Sequence, residues 1–263
     1  MIPALVPDWD AGSNVGALIT LRAGGVSRGP FGLAGGGEGG LNLGAHCGDD
    51  PQLVQLNRAR VRALLPSEPV WLRQVHGTAV RHCVAPAAPG DAEMTADAAV
   101  TDVPGVVLAV LTADCLPVLL ADAQRAVVGI AHAGWRGLAA GVIEHTIAKM
   151  LQRGARADGI VAYLGPAIGP EAFEVGEDVL AAFDAGAGGG VAGARDCFRA
   201  APLPGKWYAN LYALARLRLS RAGVAAVSGG IHCTHGEPAR FYSYRRDGAT
   251  GRMGSFVWIE PQR

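Results

Sequence analysis

Between residues 70 and 131 the chain passes through six short apolar runs: Val70 to Val75, Thr78 to Val84, Ala98 to Thr101, Val106 to Thr112, Pro117 to Leu120 and Ala126 to Ala131. Each has the length and branched-residue content of a strand. The middle of the chain is therefore expected to be sheet, and other elements must supply what covers it. Gly137 to Leu151 can do so: Val142, Ile143, Ile147, Met150 and Leu151 share one helical face and Gly154 stops the helix. Ahead of the sheet, Asp50 as N-cap, Pro51 at the first helical position and apolar Leu53, Leu56, Val61, Leu64 and Leu65 predict a helix that Pro66 ends.

The flanks read less regularly. Gly16 to Arg22 predicts a strand that runs into a Gly-rich loop reaching about Asp50. Later come a strand at Ile160 to Leu164, a short helix near Glu177 to Phe183, a helix at Asn210 to Ala222, and strands at Val224 to Ser228 and Arg252 to Ile259. The Gly/Ala tract 185 to 194 reads as a flexible surface loop. Strand clusters and long helices without strict βα alternation indicate α+β with mixed sheets. No internal boundary stands out, so residues 1–263 are read as one domain.

Half of the 263 residues are apolar, enough to bury a large core. Lys plus Arg equals Asp plus Glu at 23 each, so no net field draws a nucleic-acid backbone or an anionic membrane surface. The start, MIPALVPDWD, lacks a basic region followed by an apolar core, and the most apolar stretch, Val106 to Leu120, is interrupted by Asp114 and Pro117. The expectation is a cytoplasmic protein that is neither exported nor membrane-spanning. Five cysteines, at 47, 83, 115, 197 and 233, form an odd set without a CxxC pair. That argues against a disulfide framework or a zinc ribbon and predicts reduced thiols, mostly buried.

Several familiar patterns occur and fail on context. Gly35, Gly37 and Gly40 satisfy G-x-G-x-x-G, but Leu41-Asn42-Leu43-Gly44 follows where a dinucleotide turn must open a helix. Ser27 sits in a G-x-S-x-G string that is followed by Pro30 and more glycines rather than by a helix. His235-Gly236-Glu237 lacks the P-C-x-x-C of a zinc deaminase.

Three segments carry more: Gln74-Val75-His76-Gly77, Ala113-Asp114-Cys115-Leu116-Pro117, and Ala131-His132-Ala133-Gly134-Trp135-Arg136-Gly137. Each puts an imidazole or a thiol at the end of an apolar strand, where a junction with a loop can present it to a pocket. The spacings are too long for a local metal knuckle. On pattern alone two hydrogen-bonded core histidines and a buried thiol are favoured over a metal site.

These segments, together with TLRAGGVS at Thr20 to Ser27, LNLGAHCGDD at Leu41 to Asp50, GPAIG at Gly165 to Gly169 and FYSYRRDGATGRM at Phe241 to Met253, resemble the laccase-domain family. That family is named polyphenol oxidase and is also described as YfiH-like purine nucleoside phosphorylases. The resemblance covers nearly the whole chain. It implies an αββα layered sandwich of mixed sheets, related to cysteine-dependent toxin deamidases, with a zinc held by His76, Cys115 and His132. It also implies a purine nucleoside phosphorylase acting on adenosine, inosine or methylthioadenosine with phosphate, and an adenosine deaminase activity. A second metal at His232 and His235 is set against an exposed loop pair, which is the default.

Three protein ligands leave a zinc one open position for water or substrate. Phosphorolysis needs phosphate beside the ribose C1′, for which Arg136, Arg22 and Arg245 are candidates because a guanidinium grips phosphate with two donors. Asp114, next to the thiol, could orient a ligand or shuttle a proton, or merely stabilise its turn. Asn42 could contact substrate or cap its loop. Two alternatives stand beside the zinc enzyme. A copper-dependent polyphenol oxidase of laccase type needs more imidazoles than seven scattered histidines supply. A metal-free hydrolase would use Cys115 as a nucleophile activated by His132.

Overall fold

The computed structural model describes residues 2–185 and 192–261. The six-stranded sheet runs in the order Ala226–Gly229, Val161–Leu164, Leu116–Asp122, Val127–Ala133, Ala98–Thr101, Val80–His82. Against it packs a five-stranded sheet ordered Ala4–Leu5, Val15–Thr20, Met253–Ile259, Val107–Thr112, Pro69–Val70. A small sheet of Glu174–Gly176, Lys206–Ala209 and Phe198–Ala200 and a ribbon pairing Leu72–Arg73 with Met94–Thr95 lie outside the two main sheets. Both parallel and antiparallel pairs occur in each main sheet, as the α+β expectation requires.

The apolar runs are explained by burial on two sides. Along Leu116–Asp122, Leu116, Val118 and Leu120 face a core shared with helices, while Leu119 and Ala121 face the other sheet. Val127–Ala133 does the same, with Val127 and Ala131 on the helix side and Val128 and Ile130 between the sheets. Each buried Val, Leu or Ile contributes about 1.5–3 kcal/mol of transfer free energy. The inter-sheet core joins Val128 and Ile130 to Ile19, Leu108, Val110, Val257 and Ile259. Helices Val142–Gln152 and Leu211–Arg221 cover the outside of the six-stranded sheet, through Ile143, Ile147, Met150, Leu214 and Leu219. Helix Pro51–Arg62 covers the five-stranded sheet, with Val61 against Phe256 and Trp258. The result is the αββα layering that the resemblance implied.

Helix ends follow their caps. Asp50 accepts from the Gln52 amide at 2.8 Å with Pro51 next, and Asn210 accepts from the Ala213 amide at 3.0 Å. The helix expected over Gly137 to Leu151 is instead two, Trp135–Ala140 and Val142–Gln152. Gly141 between them has φ +95°, which no right-handed helix accommodates. On Pro51–Arg62 the inward face is Val54, Asn57 and Val61, so Leu56 and Leu64, expected inside, are exposed. The fully buried Asn57 accounts for this. It accepts from the Val26 amide and donates to Ser27 Oγ and the carbonyls of Gly40 and Asn42, pinning the Gly-rich segment to the helix. Part of that segment is therefore strand Ala23–Ser27 rather than loop. Most of the Gly/Ala tract 185 to 194 lies outside the described residues. All five cysteines are free, but only Cys83 is buried; the other four are half-buried.

Candidate metal centre

The distant positions 76, 97, 115 and 132 meet through ladder register. Leu116–Asp122 and Val127–Ala133 form an antiparallel hairpin with Leu116 opposite Ala133 and Pro117 opposite His132, so Cys115 emerges beside the end of the strand that carries His132. Val127–Ala133 also pairs with Ala98–Thr101, Ala131 opposite Ala98, and the ladder continues into a 2.9 Å side-chain and a 2.7 Å backbone hydrogen bond from His132 to Asp97. The ribbon Leu72–Arg73 with Met94–Thr95 then delivers His76 to the same place. The ligand atoms of His76, Cys115 and His132 all lie within 4.8 Å of one another, and among the described residues no other group of three or more metal-ligating side chains is this close.

Asp97 holds the arrangement together. Its carboxylate is fully buried and accepts from the backbone amides of Val75, His76 and Gly77 at 3.2, 2.8 and 2.7 Å and from His132 Nδ1. Burial alone would raise the carboxyl pKa, but the donors from His132, Gly77 and Val75 hold it below its ordinary value. By accepting a hydrogen bond from Nδ1–H, Asp97 leaves Nε2 of His132 free to ligate, the carboxylate–histidine support common to metal sites. The three amides stabilise His76 at φ +60°, a left-handed conformation costly to a residue with a Cβ.

The electrostatics favour a ligating thiolate. Burial pushes the Cys115 thiol up, but His132 and then His76 outweigh it and bring the pKa down to about 6. Burial opposes charge on His132, while Cys115 and Asp97 raise its pKa to about 9. His76 Nε2 lies 3.8 Å from the Cys115 sulfur, and its ring stands edge-on to that of His132 with centroids 4.8 Å apart. Gly134 leaves the space open: a Cβ there would come within 2.9 Å of His76 Cδ2 and 3.0 Å of Cys115 Sγ. Two imidazoles and a thiolate, close enough to share one ion and backed by a carboxylate, fit a metal.

The cluster opens on a cavity of about 470 Å³ whose wall also includes His46, Cys47, Arg58, Arg73, Glu93, Tyr244 and Arg252. A larger cavity of about 920 Å³, beside Trp71, Cys83 and Met94, shares only Arg58 with it.

Other residues expected at the site go elsewhere. Asp114, at φ +94°, turns its carboxylate to Thr234 Oγ1 (2.6 Å) and the Arg245 amide (2.7 Å), tying the strand turn to the C-terminal segment. Arg22 is buried, donating to the Gly32 and Leu33 carbonyls and pairing with Asp247 at 3.3 Å. The Arg245 guanidinium donates to the Glu174 carbonyl and lies over Phe173. Arg136 is exposed and stacks on its neighbour Trp135. None of these four lines the cavity. Asn42 is buried behind it, accepting from the amides of Gly44 and Arg252 and donating to Asp49, which joins two cavity walls. Sequence reasoning missed Asp97, although one signal was there: a lone carboxylate heads the apolar run Ala98 to Thr101.

A two-sheet α+β sandwich with a His–Cys–His cluster beside a cavity defines a class of protein with a candidate metal centre. The chain belongs to the multi-copper polyphenol oxidoreductase laccase family, whose model matches residues 16–260. It is 47% identical over 256 residues to a Pseudomonas aeruginosa protein that bears the name purine nucleoside phosphorylase, covering 97% of this chain and 98% of that one. The purine nucleoside phosphorylase YfiH of Escherichia coli is 45% identical over 266 residues, covering 98% of this chain and all of the relative. Among solved structures, a Neisseria meningitidis protein superposes with a TM-score of 0.87 at 46% identity, covering 98% of this chain and 99% of its own. No helix among the described residues is long and apolar enough to cross a membrane.

Proposed function

We propose that this protein is a zinc-dependent purine nucleoside phosphorylase, which splits adenosine or inosine with inorganic phosphate into free base and sugar 1-phosphate. The observation that carries the proposal is the three-ligand cluster of His76, Cys115 and His132 on the wall of a cavity of nucleoside size, with no fourth metal-ligating side chain in the group. The names of the relatives support the reaction class. Thiolate and imidazole donors suit zinc, and a metal held by His76, Cys115 and His132 would supply Lewis acidity there.

The chain's own residues do the rest. Asp97 fixes the His132 ring and the His76 loop, so the ligand set is organised before substrate arrives. Tyr244 lies on the cavity rim, exposed and without an aromatic partner among the described residues, and offers a face on which a purine can stack. In the reaction a phosphate oxygen bonds to C1′ as the C1′–N9 bond breaks and its electron pair leaves with the purine. Adenosine deamination at the same centre belongs to this reading, supported by the same ligand cluster beside the cavity.

The test is incubation of metal-analysed protein with a nucleoside panel, with and without phosphate, followed by chromatography of bases and sugar phosphates. Free base formed only with phosphate, and absent with Cys115→Ala, is the expected result; base formed equally without phosphate would discard phosphorolysis. A copper oxidase is the second reading, favoured by the family description alone. Of seven histidines only His76 and His132 join the cluster, so stoichiometric zinc with no copper is the expected metal content. The metal-free Cys115/His132 hydrolase predicts activity that survives chelation, whereas the zinc reading predicts its loss.

A further inference from the structure

The protein carries no net charge, yet its candidate site gathers cations. Three guanidinium groups, Arg58, Arg73 and Arg252, line the cavity with one carboxylate, Glu93. Arg58 is committed: it pairs with Glu93 at 3.1 Å, donates to the Leu43 carbonyl at 3.0 Å and lies over the Trp71 ring. Glu93 is committed too, to Arg58 and to His46.

Arg73 and Arg252 differ. Arg73 donates through Nε and Nη2 to the one hydroxyl of Thr95, and its Nη1 has no partner among the described residues. Arg252 donates through Nη1 to the carbonyls of Thr250 and Gly251, and its Nε and Nη2 have none. Neither forms an ion pair among the described residues. The contrast with Arg22, whose charge meets Asp247, is that these two charges have no acidic partner among the described residues.

Arg252 is also built in. Its amide donates to Asn42 Oδ1 at 2.9 Å, and its stem packs so closely on Gly44 that a Cβ there would come within 2.8 Å of Arg252 Cγ. Two guanidinium groups without a carboxylate partner, each keeping N–H donors free beside a metal-ligand cluster, suit a small tetrahedral oxyanion, because a guanidinium presents donors at the spacing of phosphate oxygens. Resting on the phosphorylase reading, we propose that Arg73 and Arg252 form the subsite that binds inorganic phosphate for attack on the nucleoside. This assigns the phosphate to the cavity wall rather than to Arg22, Arg136 or Arg245.

The test uses the zinc-loaded full chain with Arg252→Gln, Arg73→Gln and Arg252→Lys, each checked for metal content and melting temperature. Losing a charge-assisted fork should raise the phosphate KM by at least about tenfold in each Gln variant, leaving the nucleoside KM within about twofold, with partial recovery in Arg252→Lys. An unchanged phosphate KM in both Gln variants, or a nucleoside KM rising in step, overturns the subsite. Should the wild type prove not to use phosphate in turnover, the phosphorylase reading falls separately, and calorimetric titration with inorganic phosphate decides the subsite. Binding that weakens about tenfold in the Gln variants upholds it; no binding to the wild type, or equal binding to all, overturns it.

Discussion

Two loops of this protein hold the same three chemical ingredients, a cysteine, histidine and a carboxylate, and use them oppositely. Around Cys115 the thiol, two imidazoles and Asp97 point toward one another and toward a cavity. Around Cys233 the thiol, His232 and Glu237 are spent on bracing contacts. The Cys233 sulfur accepts from the amides of Gly169 and Gly236 at 3.2 and 3.3 Å. Glu237 accepts from the Cys233 amide and pairs with Arg240, and His232 Nδ1 faces both Glu237 and Arg240. The second loop is a closed hydrogen-bond network that braces GPAIG against the C-terminal segment; the first leaves ligating capacity unsatisfied. What separates a candidate site from a structural knot is therefore where donors and acceptors are directed, and composition does not report that.

The sharpest way to break this comparison is to remove each thiol in turn. On the proposed reading, Cys115→Ala should fail to retain a metal and lose at least about a hundredfold in nucleoside turnover, since it leaves two of the three ligand side chains. Cys233→Ala should keep one metal per chain and turnover within about threefold. Metal analysis with a chromatographic assay distinguishes the two, and metal loss in the Cys233 variant would erase the distinction.

Next in size is Asp97→Asn. The amide cannot accept from all of the Val75, His76, Gly77 and His132 donors, and metal affinity measured by chelator competition should fall about 10–100-fold. Gly134→Ala probes space alone. Its φ of −61° suits alanine, but the methyl would press on His76 and Cys115, so affinity should fall on the order of tenfold, at the low end for support residues, with the circular dichroism spectrum unchanged.

The smallest effect belongs to the bracing loop. Burial would raise the Glu237 pKa, but the Cys233 amide, His232 and Arg240 hold it below its ordinary value. A carboxyl depressed in the folded state stabilises above its unfolded pKa, and that stabilisation fades as pH falls through the folded value. Glu237→Gln should therefore cost about 1 kcal/mol near neutral pH, with wild type and variant converging in denaturant melts as acid protonates the carboxylate, and with metal content unaltered.

Much of the architecture was legible because it rests on local rules. The strand-like runs between 70 and 131 announced a central sheet, and Asp50-Pro51 announced a helix start that the Asp50 side chain caps, whereas the covering of that sheet on both sides appears only in the fold. Gly141 shows the limit of such rules. A glycine at that point is compatible with one helix or two, and only the fold shows that Gly141 takes the left-handed turn, at φ +95°. The face of Pro51–Arg62 was misjudged for a related reason. Asn57 points inward because the glycine segment needs its donors and acceptor, a demand made by chain 15 to 31 residues away.

By itself the sequence determined which elements form and which residue types could ligate a metal, since periodicity, capping and side-chain chemistry are properties of neighbours along the chain. The tertiary structure alone decided that positions 76, 97, 115 and 132 share one point, that Arg22 is spent on Asp247 and backbone carbonyls, and that Arg73 and Arg252 are not. The physical reason is that sheet register sets distance across the fold, and whether a polar group is satisfied depends on what lies beside it in space, which no local pattern encodes.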